Sequence, residues 1–103
     1  MAVVQMSVWR PNPGRALEFA AQVQQAKEIH ERLGAHVGLW QAIAGGHAGT
    51  LTYVLTFEDL ADYGTFGVKM AADEAWQSFW LDAQADPTAT PVETILAGEL
   101  PEP

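Results

Sequence analysis

The chain has 103 residues, enough for one domain, and is 49% hydrophobic but only 17% charged. Its 13 acids against 5 bases leave a net charge of -8, which argues against nucleic acid and anionic membrane surfaces, since both require a positive footprint. With no cysteine, disulfides, thiol catalysis and thiolate metal sites are excluded.

Residues 2–9 carry Val3, Val4, Met6, Val8 and Trp9 with polar Gln5 and Ser7 on one parity, which predicts a strand. Pro11 and Pro13 stop it, because neither can donate to a ladder. Asn12 before Pro13 has the form of a helix start, an N-cap residue ahead of a proline at the first helical position. From Pro13 to about Leu33, Ala16, Phe19, Ala20, Val23, Ala26, His30 and Leu33 recur every three or four residues, a helical stripe that Gly34 closes. Residues 36–44 read as a second strand. A glycine-rich turn follows at 45–49, and then the cleanest alternation in the chain, Leu51, Tyr53, Leu55 and Phe57 against Thr50, Thr52, Val54 and Thr56. Two strands joined by such a turn predict a hairpin. Helices are expected near 59–71 and 73–84, the second opening on Asp73-Glu74. A loop over 86–91 leads to a last strand at 92–100 and a tail at 101–103.

This order predicts a single α+β domain over 1–100 of ferredoxin-like type, β-α-β-β-α-β, with a four-stranded antiparallel sheet and helices on one face. The other face is then uncovered. It is expected to carry Val3, Gln5, Ser7 and Trp9 of the first strand, His36, Gly38, Trp40 and Ala42 of the second, and the threonine parity of the third. Such a mixed, uncharged face predicts a homodimer with the two sheets packed together. The N-terminus shows no basic region followed by a long apolar run, and no stretch approaches the roughly 18 apolar residues of a membrane span, so a cytoplasmic protein is expected.

The segment Thr56-Phe57-Glu58-Asp59-Leu60-Ala61-Asp62-Tyr63-Gly64, followed by Ala71-Ala72-Asp73-Glu74-Ala75-Trp76-Gln77-Ser78-Phe79, resembles the dimeric α/β-barrel superfamily. That group includes antibiotic-biosynthesis monooxygenases, NIPSNAP-like proteins and certain polyketide cyclases, and the NIPSNAP-like branch is the most similar. The resemblance spans nearly the whole chain in element order, and its motif is structural rather than catalytic. The heme-degrading members use an Asn on the first strand and a His on the helix after the third strand. This chain has Gln5 and Ser7 on the one and no His between Glu58 and Ala85 on the other.

For a site, Trp76, Phe79 and Trp80 share a helix face, and with Tyr63 and Phe66 they form either the helices' core contact or the wall of an aromatic pocket. Ser7, Trp9 and Trp40 complete the candidate ligand-binding set. The weak catalytic candidates are His36, at the start of the second strand, and Tyr53, whose hydroxyl needs a partner if buried. His30 is expected to pack its ring at the edge of the core, and His47 to sit in a loop. The three histidines show no metal-ligand spacing, so neither metal nor cofactor is expected. Three functions remain open: a cofactor-free monooxygenase or cyclase acting on a small aromatic molecule, a small-molecule-binding module without turnover, and a purely structural homodimer. A cavity of about 300 Å³ or more beside Trp76 and Tyr53 would favour the first two, a filled core the third.

Overall fold

The computed structural model describes residues 1–101 and runs β1 (Val3–Pro11), α1 (Ala16–Arg32), β2 (His36–Gln41), β3 (Leu51–Phe57), α2 (Leu60–Ala72), α3 (Glu74–Ala85) and β4 (Ala89–Gly98). Within the expected tail, Glu102 and Pro103 lie outside the described residues. The strands form one sheet in the order β2-β3-β1-β4, every neighbouring pair antiparallel. This is the ferredoxin-like arrangement expected from the element order, with the second helical region split in two.

The split falls at Asp73, whose carboxylate accepts from the Trp76 backbone N–H at 2.9 Å and so caps α3. The same carboxylate receives Arg32 at 2.9 Å, which ties the end of α1 to the start of α3. Asp59 caps α2 in the same way, accepting from Asp62 at 2.8 Å. Helix α1 ends where Gly34 adopts φ 102°, a left-handed conformation that costs glycine little.

Strand β2 ends at Gln41 rather than Ala44 and β4 at Gly98 rather than Leu100. The starts of α1 and β4 also differ from expectation, for one reason. The Asn12 side chain does not cap α1, which starts at Ala16 without a side-chain cap. Instead its amide donates to the Pro87 carbonyl at 3.0 Å and its carbonyl accepts from the Thr90 hydroxyl at 2.7 Å. Arg15 adds a two-pronged pairing with Asp86. This clasp extends the β1 ladder to its end, so β4 begins at Ala89 rather than Val92 and runs through Pro91. An edge strand tolerates proline because its outer N–H groups have no ladder to serve.

The register corrects the expected faces. Val3, Gln5, Ser7 and Trp9 lie opposite Phe57, Leu55, Tyr53 and Leu51, the parity of β3 that faces the helices, so these four β1 residues face the helices and not the open side. Residues directly opposite on neighbouring strands share a face. Val4, Met6, Val8 and Arg10 take the open side, with His36, Gly38 and Trp40 of β2, as expected for those three. On β4 the register shifts between Val8 and Trp9, leaving Val92 as the extra residue of a bulge. Beyond it Thr94 and Leu96 lie on the helix side and Glu93, Ile95 and Ala97 on the open side.

Helix α1 packs on β2, α2 on β3, and α3 on both helices. The core therefore sits under the β2–β3 half of the sheet, around Phe19, Val23, Ala26, Leu55, Phe57 and Phe66. The β4 end lacks such cover. Leu96 is 49% exposed on the helix side and Ile95 is 44% exposed on the open side. On the open side Trp40, 68% exposed, also lies across Gly38: a Cβ built there would stand 3.3 Å from the indole nitrogen. Among the described residues, no helix is long and apolar enough to cross a membrane.

Candidate functional site

Two polar pairs of the helix-side layer join a helix to the sheet. The first is fully inside. His30, 5% exposed, is inward on α1 and its Nδ1 lies 2.7 Å from the Tyr53 hydroxyl. Rings surround it, with centroids at 4.5 Å for Trp76 and 5.5 Å for both Phe66 and Tyr53. Its Nε2 is buried with no hydrogen-bond partner among the described residues. Neutral imidazole has one donor nitrogen and one acceptor nitrogen. If Tyr53 donates to Nδ1, the only unpaired group is an Nε2–H set among aromatic faces, where N–H···π contacts are available. If Nδ1 donates instead, both the Tyr53 O–H and the Nε2 lone pair are left without partners. The first arrangement leaves one orphan and the second leaves two, so the phenol is the donor.

Burial sets the charge of this pair. Loss of water pushes the His30 pKa down to about 4, because the interior disfavours the imidazolium. The same desolvation, with a smaller push from the charge of Glu31, raises the Tyr53 hydroxyl well above its usual range. Both side chains are neutral at pH 7.

The second pair lies at the edge of cover. Tyr63 of α2 donates its hydroxyl to the Gln5 Oε1 at 2.8 Å, and its ring meets Phe57 edge-on with centroids 5.3 Å apart. Gln5 sits between Leu55 and Leu96, and Ser7 between Tyr53 and Thr94. A polar seam thus crosses the helix side of the sheet, from buried Tyr53 through half-buried Ser7 to exposed Thr94. It ends where Thr94 and Leu96 of β4 are exposed on the helix side. Trp9 of β1 packs on Phe19 with centroids 6.4 Å apart.

The sequence candidates therefore divide. Ser7 and Trp9 lie on the helix side of β1, and Tyr63 reaches that side through Gln5. Phe66 and Trp76 wall the His30–Tyr53 pair, and the His30 ring fills the space between Trp76 and Tyr53, so at that place the structure has the filled core that favours the purely structural reading. Phe79 and Trp80 pack on Trp76 at 5.3 and 5.7 Å, and Phe79 also lines a groove of about 320 Å³ between α1 and α3. Trp40 lies on the opposite face of the sheet, and exposed His36, at the start of β2, borders a groove of about 260 Å³ that Phe66 also lines. His30 and Gln5 belong to the site but were not among the candidates. The expectation that His30 packs at the rim is corrected, since it is among the most buried polar residues. Its signal was its place on the inward stripe with Phe19, Val23 and Ala26. Gln5 was hidden by the assignment of its parity to the wrong face. No group of three or more potential metal ligands forms among the described residues.

A family model described as NIPSNAP matches residues 4–95. No curated protein matches the chain. Among solved structures, an uncharacterized NIPSNAP domain protein from Burkholderia xenovorans is 20% identical, with a TM-score of 0.75 over 95% of this chain and 94% of that one. A NIPSNAP family protein from Agrobacterium tumefaciens is 17% identical, with a TM-score of 0.74 over 97% and 94%. A structure described as a candidate antibiotic biosynthesis monooxygenase from Bordetella bronchiseptica is 19% identical, with a TM-score of 0.67 over 96% and 97%. At these identities the structural likeness speaks to the fold alone.

Proposed function

We propose, for a chain that belongs to the NIPSNAP family, that it binds a small apolar or aromatic molecule on the uncovered helix side of β1 and β4, and does so as a homodimer joined through the opposite face of the sheet. One observation carries the binding reading. The stretch of sheet that the helices leave uncovered is also where β1 turns Gln5 inward between Leu55 and Leu96 and Ser7 between Tyr53 and Thr94, polar groups set beside apolar ones. The dimer reading is supported by the open face, where Trp40 and Ile95 are exposed beside Val4, Met6, Val54 and Ala97. The cytoplasmic setting expected from the sequence belongs to the same proposal.

The buried pair favours binding over proton abstraction. An oxygenase or cyclase that begins by ionising a phenol needs a base. Passing a proton from a phenol of pKa about 10 to an imidazole of pKa about 4 costs roughly 8 kcal/mol, and a dry site raises the phenol further. The His30–Tyr53 pair thus serves as a fixed polar support rather than as a base. Equilibrium dialysis against a series of naphthalene derivatives tests the binding reading, and sedimentation at micromolar concentration tests the dimer. Absence of any retained compound refutes the first, and a monomer the second.

A further inference from the structure

We infer that the groove between α1 and α3 is a second binding site, for a linear diammonium compound that carries one cation at each end of an apolar chain. It is separate from the β1–β4 face and does not depend on that reading. The argument starts from how the two helices are held. At one end Arg32 of α1 pairs with Asp73, the cap of α3, at 2.9 Å. At the other end Arg15, just ahead of α1, grips Asp86, just after α3. The helices therefore run antiparallel and are pinned at both ends. Between the pins, α3 turns Ala75, Ser78, Asp82 and Ala83 towards α1, three or four residues apart and so on one face. These side chains are too short to close the gap, and a groove of about 320 Å³ remains.

The pins also set the register. Glu28 of α1 comes level with about Ala75, and Asp82 with about Gln22, all four of them lining the groove. From Ala75 to Asp82 is seven residues (82 − 75), which at 1.5 Å per residue puts the two acidic positions about 10 Å apart along the groove. Neither carboxylate is paired with a base among the described residues, and no basic side chain lines the groove. Arg15 and Arg32, the nearest cations on α1, are held in the pins. Half-buried Ile29 and Phe79 give the space between the acids an apolar lining. Positions that far apart do not share one metal ion, whose oxygen ligands lie within about 2.6 Å of it. What meets both is a cation at each end of a methylene chain, drawn also by the net charge of -8.

The test uses the full chain and isothermal titration calorimetry at low salt, with 1,8-diaminooctane as the probe. Octylamine has the same chain with one cation, and 1,4-diaminobutane has two cations on a chain too short to span the groove. The long diamine is expected to bind about threefold to fivefold more tightly than octylamine, the scale of one more exposed ion pair. It should bind more tightly than 1,4-diaminobutane as well, and lose its advantage in high salt. Glu28→Gln and Asp82→Asn should each bring it down to the level of octylamine, and both residues are exposed in the native chain. Asp62→Asn removes the same charge from α2, outside this groove, and should leave the preference unchanged. Equal binding of the long diamine and octylamine by the native chain overturns the proposal. So does a preference that survives Glu28→Gln and Asp82→Asn together, or one that Asp62→Asn reduces as much as they do, because the attraction is then that of the whole acidic surface. Binding of no probe also overturns it and leaves the reading of the β1–β4 face standing.

Discussion

Acidification should weaken this fold before its carboxylates begin to titrate, through His30. The imidazole has a pKa of about 4 when folded and an ordinary value near 6.5 when unfolded. Above pH 6.5 neither state is protonated and the group is silent. Between 6.5 and 4 the unfolded chain binds a proton that the folded one refuses, so stability falls as pH falls, and below 4 the loss is complete. Integrating across that window gives about 2 kcal/mol lost by pH 5 and about 3 kcal/mol in all. For a domain of this size 2 kcal/mol corresponds to roughly 8–16 °C in Tm. The assay is thermal melting at fixed protein concentration from pH 8 to pH 5, for the native chain and for His30→Phe. The other two histidines are exposed, and they are present in both proteins. The native Tm should fall towards pH 5, and the His30→Phe profile should be flatter by about the calculated amount. Parallel profiles would refute the reasoning, because they would mean that His30 takes up its proton as readily folded as unfolded.

Tyr53→Phe removes the only donor to Nδ1, leaves a second buried nitrogen unpaired and should cost about 1–3 kcal/mol in denaturant unfolding. Combined with His30→Phe its cost should shrink, which a double-mutant cycle would read directly. Trp40→Ser should shift sedimentation of the proposed dimer toward the monomer with little change in secondary structure, since the indole is exposed in the single chain. Asp59→Ala removes the cap of α2 and should cost about 1 kcal/mol by chemical denaturation.

The parts of the fold legible in sequence were those where one parity is apolar and the other is not. Strand β3, with leucine and aromatics against threonine, could be placed and faced correctly. Strand β1 could be placed but not faced, because Val4, Met6 and Val8 on one parity are as apolar as Val3 and Trp9 on the other. That ambiguity carried Gln5 and Ser7 to the wrong side, although Gln5 accepts the Tyr63 hydroxyl on the helix side. Asn12 was misread because local grammar names it a cap, whereas its partners, Pro87 and Thr90, are more than seventy residues away. His30 was legible as inward-facing, but not its bond to Tyr53, which depends on how α1 lies across β3.

The bulge at Val92 links the two surfaces of β4 in a way that constrains how they can change. Because Val92 is absorbed without a partner, Leu96 falls beside Gln5 on the helix side and Ile95 beside Met6 on the open face. Were Val92 instead to pair with Val8, every side chain after it would change sides. Glu93 would then stand opposite Ser7 and Ile95 opposite Gln5, setting a carboxylate on the helix side, while Thr94 and Leu96 moved to the open face. The proposed binding face and the proposed dimer face are thus written on one strand in opposite phase. A single slip of pairing would spoil both at once, and neither can be re-registered without rewriting the other.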